Sequence, residues 1–158
     1  MADAQQLKLA QKNFKVLCAM LDDNKWNYEK DDENFVITSG ARGDDLPIPL
    51  EIKLLPAAQI VTLISVMPFE IPKEKTSIVS LAVSVVNQKI IDGNFEINYD
   101  SNKMLFRLTS SYFDSLLSKE AFQYMLFVSC QTIDEFNDKF LKACKEDMSV
   151  TQLFELFN

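Results

Sequence analysis

The chain has 158 residues, 47% of them hydrophobic, and 16 Lys and Arg against 23 Asp and Glu give it a net charge of −7. A chain of this length can bury a sufficient core without disulfides or metals, and its acidity disfavours nucleic acid as a partner. It contains no histidine, which excludes Ser-His-Asp and Cys-His hydrolases, HExxH metalloproteases and mixed Cys/His zinc sites.

The first third of the chain predicts a helix followed by a hairpin. Apolar residues recur at intervals of three and four from Gln5 to Leu21, which is typical of an amphipathic helix. The segments WNYEK (26–30) and FVITSG (35–40) flank a polar turn over residues 31–34 and predict two antiparallel strands.

Two further strands are predicted before the first long break. The segment PLEIKLL (49–55) alternates apolar and charged residues, and Pro47 and Pro49 place its start at a sheet edge. The segment IVTLISVM (60–67) is apolar on both faces and predicts a central strand that is covered on both sides.

The middle of the chain predicts an apolar helix and a second hairpin. The helix runs from Pro72 to about Ile91, because nearly twenty residues between breakers exceed ordinary strand length. Gly93 follows as a left-handed stop, and the strands after it turn at Asp100–Lys103.

The last third predicts a long helix and a short one. Ser118 can cap a helix whose apolar spacing continues to Cys144, and Ser149 with Gln152 has capping-box spacing before VTQLFELF (150–157). These elements predict an α+β two-layer sandwich in α-β-β-β-α-β-β-α order, with an antiparallel sheet of about five strands and a short C-terminal helix. We expect a single domain over 1–158, with a core of about 5–146 and an extension over 149–158.

Three segments carry a resemblance to a known family: VMPFEIP (66–72), VVNQKIIDGNFEINYD (85–100) and MLFRL (104–108). Their order resembles that of the YbjN family and, more broadly, of the type III secretion chaperone-like fold, from about Pro49 to Ala143. The resemblance implies a cytoplasmic, non-enzymatic and often dimeric domain whose structural relatives hold secretion substrates. It also implies association through the second helix and the neighbouring strand.

The second helix is the first candidate interface. Its apolar arc reaches roughly 200°, because Ile78, Leu81 and Val85 widen the stripe that faces the sheet, and one packed surface requires only about 100°. Either the C-terminal helix of the same chain covers these three residues, or a second copy of the helix packs there in a homodimer.

Two other segments are candidate partner contacts. Phe69 and Ile71, which follow Met67, would offer an edge for strand addition, and core packing is the alternative. The C-terminal helix, with Leu153, Phe154 and Phe157, would dock on its own sheet, lie in a groove of a second subunit or act as a ligand for another protein.

The residues contain no constellation for catalysis. Cys18, Cys130 and Cys144 are an odd set without CxxC spacing, which favours reduced structural thiols in a reducing compartment. No segment approaches the length of apolar residues that a membrane span requires. We therefore expect a cytoplasmic, non-enzymatic protein-binding module, chaperone-like or regulatory, without cofactor, metal, nucleic acid or membrane. The alternative is a domain that binds a small apolar ligand between its sheet and helices.

Overall fold

The computed structural model describes residues 1–158 and contains four α-helices and six strands. The helices are α1 (Ala4–Asp23), α2 (Thr76–Asn87), α3 (Lys119–Lys145) and α4 (Val150–Phe157). The strands are β1 (Tyr28–Asp31), β2 (Val36–Arg42), β3 (Pro47–Leu55), β4 (Ile60–Glu70), β5 (Asn94–Asn98) and β6 (Lys103–Ser111).

All six strands form one antiparallel sheet in the order β1-β2-β3-β4-β6-β5. The chain leaves the sheet after β4, forms α2, and returns through the β5–β6 hairpin so that β6 pairs with β4. The predicted α+β fold with an antiparallel sheet is confirmed. The sheet has six strands where about five were expected.

The helices cover one face of the sheet. In β3 the residues Ile48, Leu50, Ile52 and Leu54 are buried, whereas Pro49 and Glu51 of the opposite parity are exposed. Helices α1 and α3 contact β3, α3 also contacts β4 and β6, and α2 contacts β5. Because side chains alternate across a strand, the even-numbered residues of β3 face the helices and the odd-numbered residues face the uncovered side of the sheet.

One expectation about the strands is wrong. Strand β4 is central, but only one of its faces is covered by helices, since Val66 on the other face is 40% exposed. Strand β3 lies between β2 and β4, and its pairing with β4 runs only from Glu51 to Leu55. The start of β3 is therefore an edge on the β4 side, as Pro47 and Pro49, which lack an N–H group, indicated.

Helix α2 is shorter than expected. It ends at Asn87, four residues before Ile91, and a 3₁₀ turn over Lys73–Lys75 precedes it. Gly93 has a φ of +78°, and a Cβ atom there would lie 2.3 Å from the Phe106 ring. Both the left-handed backbone and this close approach require glycine, but the glycine begins the hairpin and does not end the helix.

The caps of the later helices are as predicted. The Ser118 side chain accepts a hydrogen bond from the Ala121 N–H at the start of α3. Ser149 and Gln152 form a reciprocal capping box at the start of α4. Since α4 has only eight residues, it is too short to be a stable helix alone and depends on what it packs against.

Candidate functional site

The three thiols are poor nucleophiles. Burial raises the pKa of Cys18, and it raises the pKa values of Cys130 and Cys144 to about 11. Cys144 is buried and the other two are half-buried, and all three are unbridged. A thiol with a raised pKa is almost fully protonated at neutral pH, and the thiolate is the reactive form.

The structure brings together no group of three or more His, Cys, Asp or Glu residues that could hold a metal ion. Five depressions have volumes of about 220 to 500 Å³, and each of these is lined largely by exposed residues. None of the five lies between the sheet and the helices, so none of them supports the small-ligand alternative.

The uncovered face of the sheet carries an apolar strip, here called the sheet strip and formed by Pro49, Ile64, Val66 and Leu105. Val66 lies opposite Leu105 on β6, and Pro49, Ile64 and Val66 line one depression of about 260 Å³. Pro49 and Val66 are exposed, and Ile64 and Leu105 are half-buried. Apolar side chains on an uncovered sheet face are a candidate contact for another protein.

Acidic residues flank the sheet strip on one side. The register aligns Glu29 with Thr38, Thr38 with Glu51, and Glu51 with Ile64 across four strands. Neighbouring strands lie about 4.8 Å apart, so the Glu29 and Glu51 positions are about 10 Å apart in one row. Neither carboxylate forms a salt bridge, which leaves both charges available to a basic partner.

On its other side the sheet strip meets an ion pair. Arg107 donates two hydrogen bonds to the Glu96 carboxylate, at 2.9 and 3.1 Å. Burial acts to raise the pKa of Glu96, but hydrogen bonds from Arg107 and Asn94 outweigh it and hold that pKa below its usual value. These two charges neutralise each other, so the ion pair adds no net charge beside the sheet strip.

Both edges of the sheet are protected against strand addition. At the β5 edge, the Asn87 side chain donates to the Phe95 carbonyl at 3.0 Å and accepts from the Phe95 N–H at 2.9 Å. The opposite edge, β1, has only four residues, three of them charged. Short, charged or covered edges resist pairing with another chain, which favours the sheet face over the edges as a binding surface.

The predicted interface on α2 turns towards α4. Ser80 and Asn87 face β5, through contacts with Tyr99 and Phe95. A helix turns about 100° per residue, so the set Ile78, Leu81 and Val85 lies on the opposite flank. All three are half-buried, and α4 packs against α2. The cover of these three residues by the C-terminal helix stays a prediction.

The other residues predicted to contact a partner are either buried in the core or at least partly exposed. Ile71, Leu153 and Phe157 are at most 2% exposed and belong to the core of the chain, so they are not available to a partner in this conformation. The Phe157 ring packs against the Phe140 ring at 5.0 Å. Phe69 is half-buried, and Phe154 is 40% exposed.

Met67 and Phe69 lie on the part of β4 beyond Ile64, where its pairing with β3 has ended, so the expected edge for strand addition stays a prediction. Sequence reasoning missed the sheet strip. The sequence did contain a signal. Ile64 and Val66 lie on the same face of β4, and the charged residues Glu51 and Arg107 of the neighbouring strands lie beside Ile64 on that face. A helical cover would have required apolar neighbours at those positions.

Comparisons with solved structures decide the fold. YbjN from E. coli, a proposed transcription regulator, superposes with a TM-score of 0.57 at 14% identity, covering 79% of this chain and 91% of YbjN. The chain has the YbjN-like, secretion chaperone-like fold. A chain of the HopA1–SchA chaperone–effector complex superposes with a TM-score of 0.55 at 15% identity, covering 89% of this chain and 98% of that one.

A chain of the ExsC–ExsE complex also superposes, with a TM-score of 0.55 at 12% identity, covering 80% of this chain and 94% of that one. The resemblance that the sequence carried is thus confirmed for the fold. Fold alone does not determine function. No protein-family model matches the chain, and no curated protein matches it. None of its helices combines the length and hydropathy that crossing a bilayer requires.

Proposed function

We propose that the whole chain acts as one non-enzymatic, chaperone-like protein-binding module. The observation that carries the proposal is the sheet strip, an apolar surface near the centre of a sheet whose other face is the one that the helices cover. The fold supports this proposal, since chains with the same architecture occur in a chaperone–effector complex. No feature of the structure argues for catalysis instead, because Cys130 and Cys144 have raised pKa values and no group of three or more His, Cys, Asp or Glu residues could hold a metal ion.

The client would be an extended, basic, amphipathic segment of another protein. Its apolar side chains would cover Ile64, Val66 and Leu105, and its Lys or Arg residues would lie beside Glu29 and Glu51. Burying the apolar surface supplies most of the affinity. The unpaired carboxylates accelerate association with a basic partner and disfavour an acidic one.

We further propose that two copies form a homodimer through the α2 flank that carries Ile78, Leu81 and Val85. These residues are apolar and incompletely covered, and a two-fold interface requires only that one surface match itself. Replacing both Leu81 and Val85 by Glu would place four charges in the interface and give a monomer by light scattering. A dimer of unchanged mass would contradict this part of the proposal.

Client binding is tested by comparative capture from lysate of the source cell. The proposal predicts a protein with a basic segment that the wild-type chain retains and the Val66→Lys variant loses. Leu7→Lys is the matched control, because Leu7 is similarly exposed, at 45%, but lies on α1 away from the sheet. Equal capture by all three proteins would contradict binding at the sheet strip.

A further inference from the structure

Two lysines that flank α2 hold the segment between α3 and α4 and the end of α4. Lys75 donates to the Glu146 carbonyl at 2.9 Å and to the Asp147 carboxylate, just before α4 begins. Lys89 donates to the Phe157 carbonyl and, at 3.0 Å, to the Asn158 side chain, where α4 ends. The two helices therefore run side by side in the same direction, with matched ends.

The outward side of α4 continues the α2 flank. A depression of about 370 Å³ is lined by Lys142 of α3 and Glu146 just after it, together with Gln152 and Leu156 of α4, so that side of α4 faces α3. At about 100° per residue, Val150 and Phe154 lie on the opposite side of α4, towards α2. They are 48% and 40% exposed, beside an α2 flank that is itself incompletely covered.

The resulting surface is uncharged, although the chain carries a net charge of −7. Helix α2 contains no charged residue over Thr76–Asn87, and the adjoining side of α4 presents Val150 and Phe154. In a two-fold interface a charge on the axis faces its own copy, so a neutral patch lets two acidic chains approach without like-charge repulsion. A second copy of this chain is the occupant that this neutrality favours.

We infer that α4 is part of the dimer interface, extending the α2 flank with Val150 and Phe154, and that Lys75 and Lys89 hold it in the position that makes this surface. The inference rests on the proposed homodimer and adds a second element to it. Phe154 is the main anchor, because large aromatic side chains dominate the energetics of interfaces. The lysines act as positioning residues, since an eight-residue helix is not stable without docking.

The test measures the dimer dissociation constant of the full chain by sedimentation equilibrium, with circular dichroism to verify folding. Phe154→Glu should raise this constant by at least about 30-fold, the effect of losing an interface hot spot. Phe113→Glu is the matched control, because Phe113 is 68% exposed on the β6–α3 loop, and it should leave the constant unchanged. The double variant Lys75→Ala, Lys89→Ala should weaken pairing without any change in α2.

The outcomes separate this inference from the proposed function. If Leu81→Glu with Val85→Glu abolishes pairing but Phe154→Glu and the lysine variant do not weaken it, α4 lies outside the interface and the inference is overturned while the α2 dimer stands. If the wild-type chain is monomeric at every concentration, both are overturned. Client capture at the sheet strip is measured independently and stands or fails by itself.

Discussion

Replacing Asn87 by Ala should destabilise the chain by removing the cover of the β5 edge. The Asn87 side chain makes hydrogen bonds of 2.9 and 3.0 Å to the backbone of Phe95, which is buried. Each such bond contributes about 1 kcal/mol net, so the loss is about 2 kcal/mol. The higher helix propensity of Ala offsets about 0.6 kcal/mol, which leaves about 1.5 kcal/mol.

This loss corresponds to a fall in melting temperature of about 3 to 6 °C for a chain of this size. The assay is denaturant unfolding of the wild type, Asn87→Ala and Gln88→Ala. Gln88 is the matched control, because it is exposed, adjacent to Asn87, and makes no side-chain hydrogen bond within the chain. If the free energy of unfolding of Asn87→Ala were within about 0.5 kcal/mol of the control, the edge-covering role would be refuted.

Two further predictions concern the core and the thiols. Phe157→Ala should lower the free energy of unfolding by about 3 to 5 kcal/mol through loss of packing and a new cavity, whereas Phe154→Ala should cost under about 1 kcal/mol; equal losses would show that α4 is oriented otherwise. Because burial raises the pKa values of Cys130 and Cys144 to about 11, the protonated thiols persist through neutral pH, and their alkylation rates should rise about tenfold per pH unit between pH 8 and 10. Fast alkylation at pH 7, followed by mass spectrometry, would contradict this assignment.

Local features of the fold could be predicted because local chemistry determines them. Ser118 and Ser149 cap α3 and α4 as their spacing indicates, and the alternation of β3 correctly assigns its buried parity. The capping box of Asp3 and Gln6 at the start of α1 has the same chemistry, but the helix was expected to begin one residue later, at Gln5. Periodicity locates a helix better than it locates its first residue.

Features that depend on distant residues could not be predicted. The end of α2 at Asn87 is determined by the hydrogen bonds of that side chain to Phe95, across a loop. The position of α4 depends on Lys75 and Lys89, which lie about 70 residues earlier in the chain. The spacing of nearby residues in the sequence does not indicate either contact.

Of the two candidate surfaces, one could be predicted from the sequence and the other could not. An apolar flank on α2 was predicted because helical spacing shows an arc wider than one contact needs. The sheet strip was missed, because hydrophobic residues on both parities of β4 are compatible with a second layer of helices as well as with an uncovered face. Hydrophobicity in the sequence does not identify what covers a residue, whereas the contacts between helices and strands do.

The central claim is that the sheet strip binds a basic client, and the most direct measurement is the affinity of the captured segment by calorimetry. The account predicts that Val66→Lys weakens binding at least about 30-fold relative to wild type, that Leu7→Lys leaves it unchanged, and that affinity falls as salt screens Glu29 and Glu51. Equal affinities for the two lysine variants, or binding that is insensitive to salt, would contradict the claim.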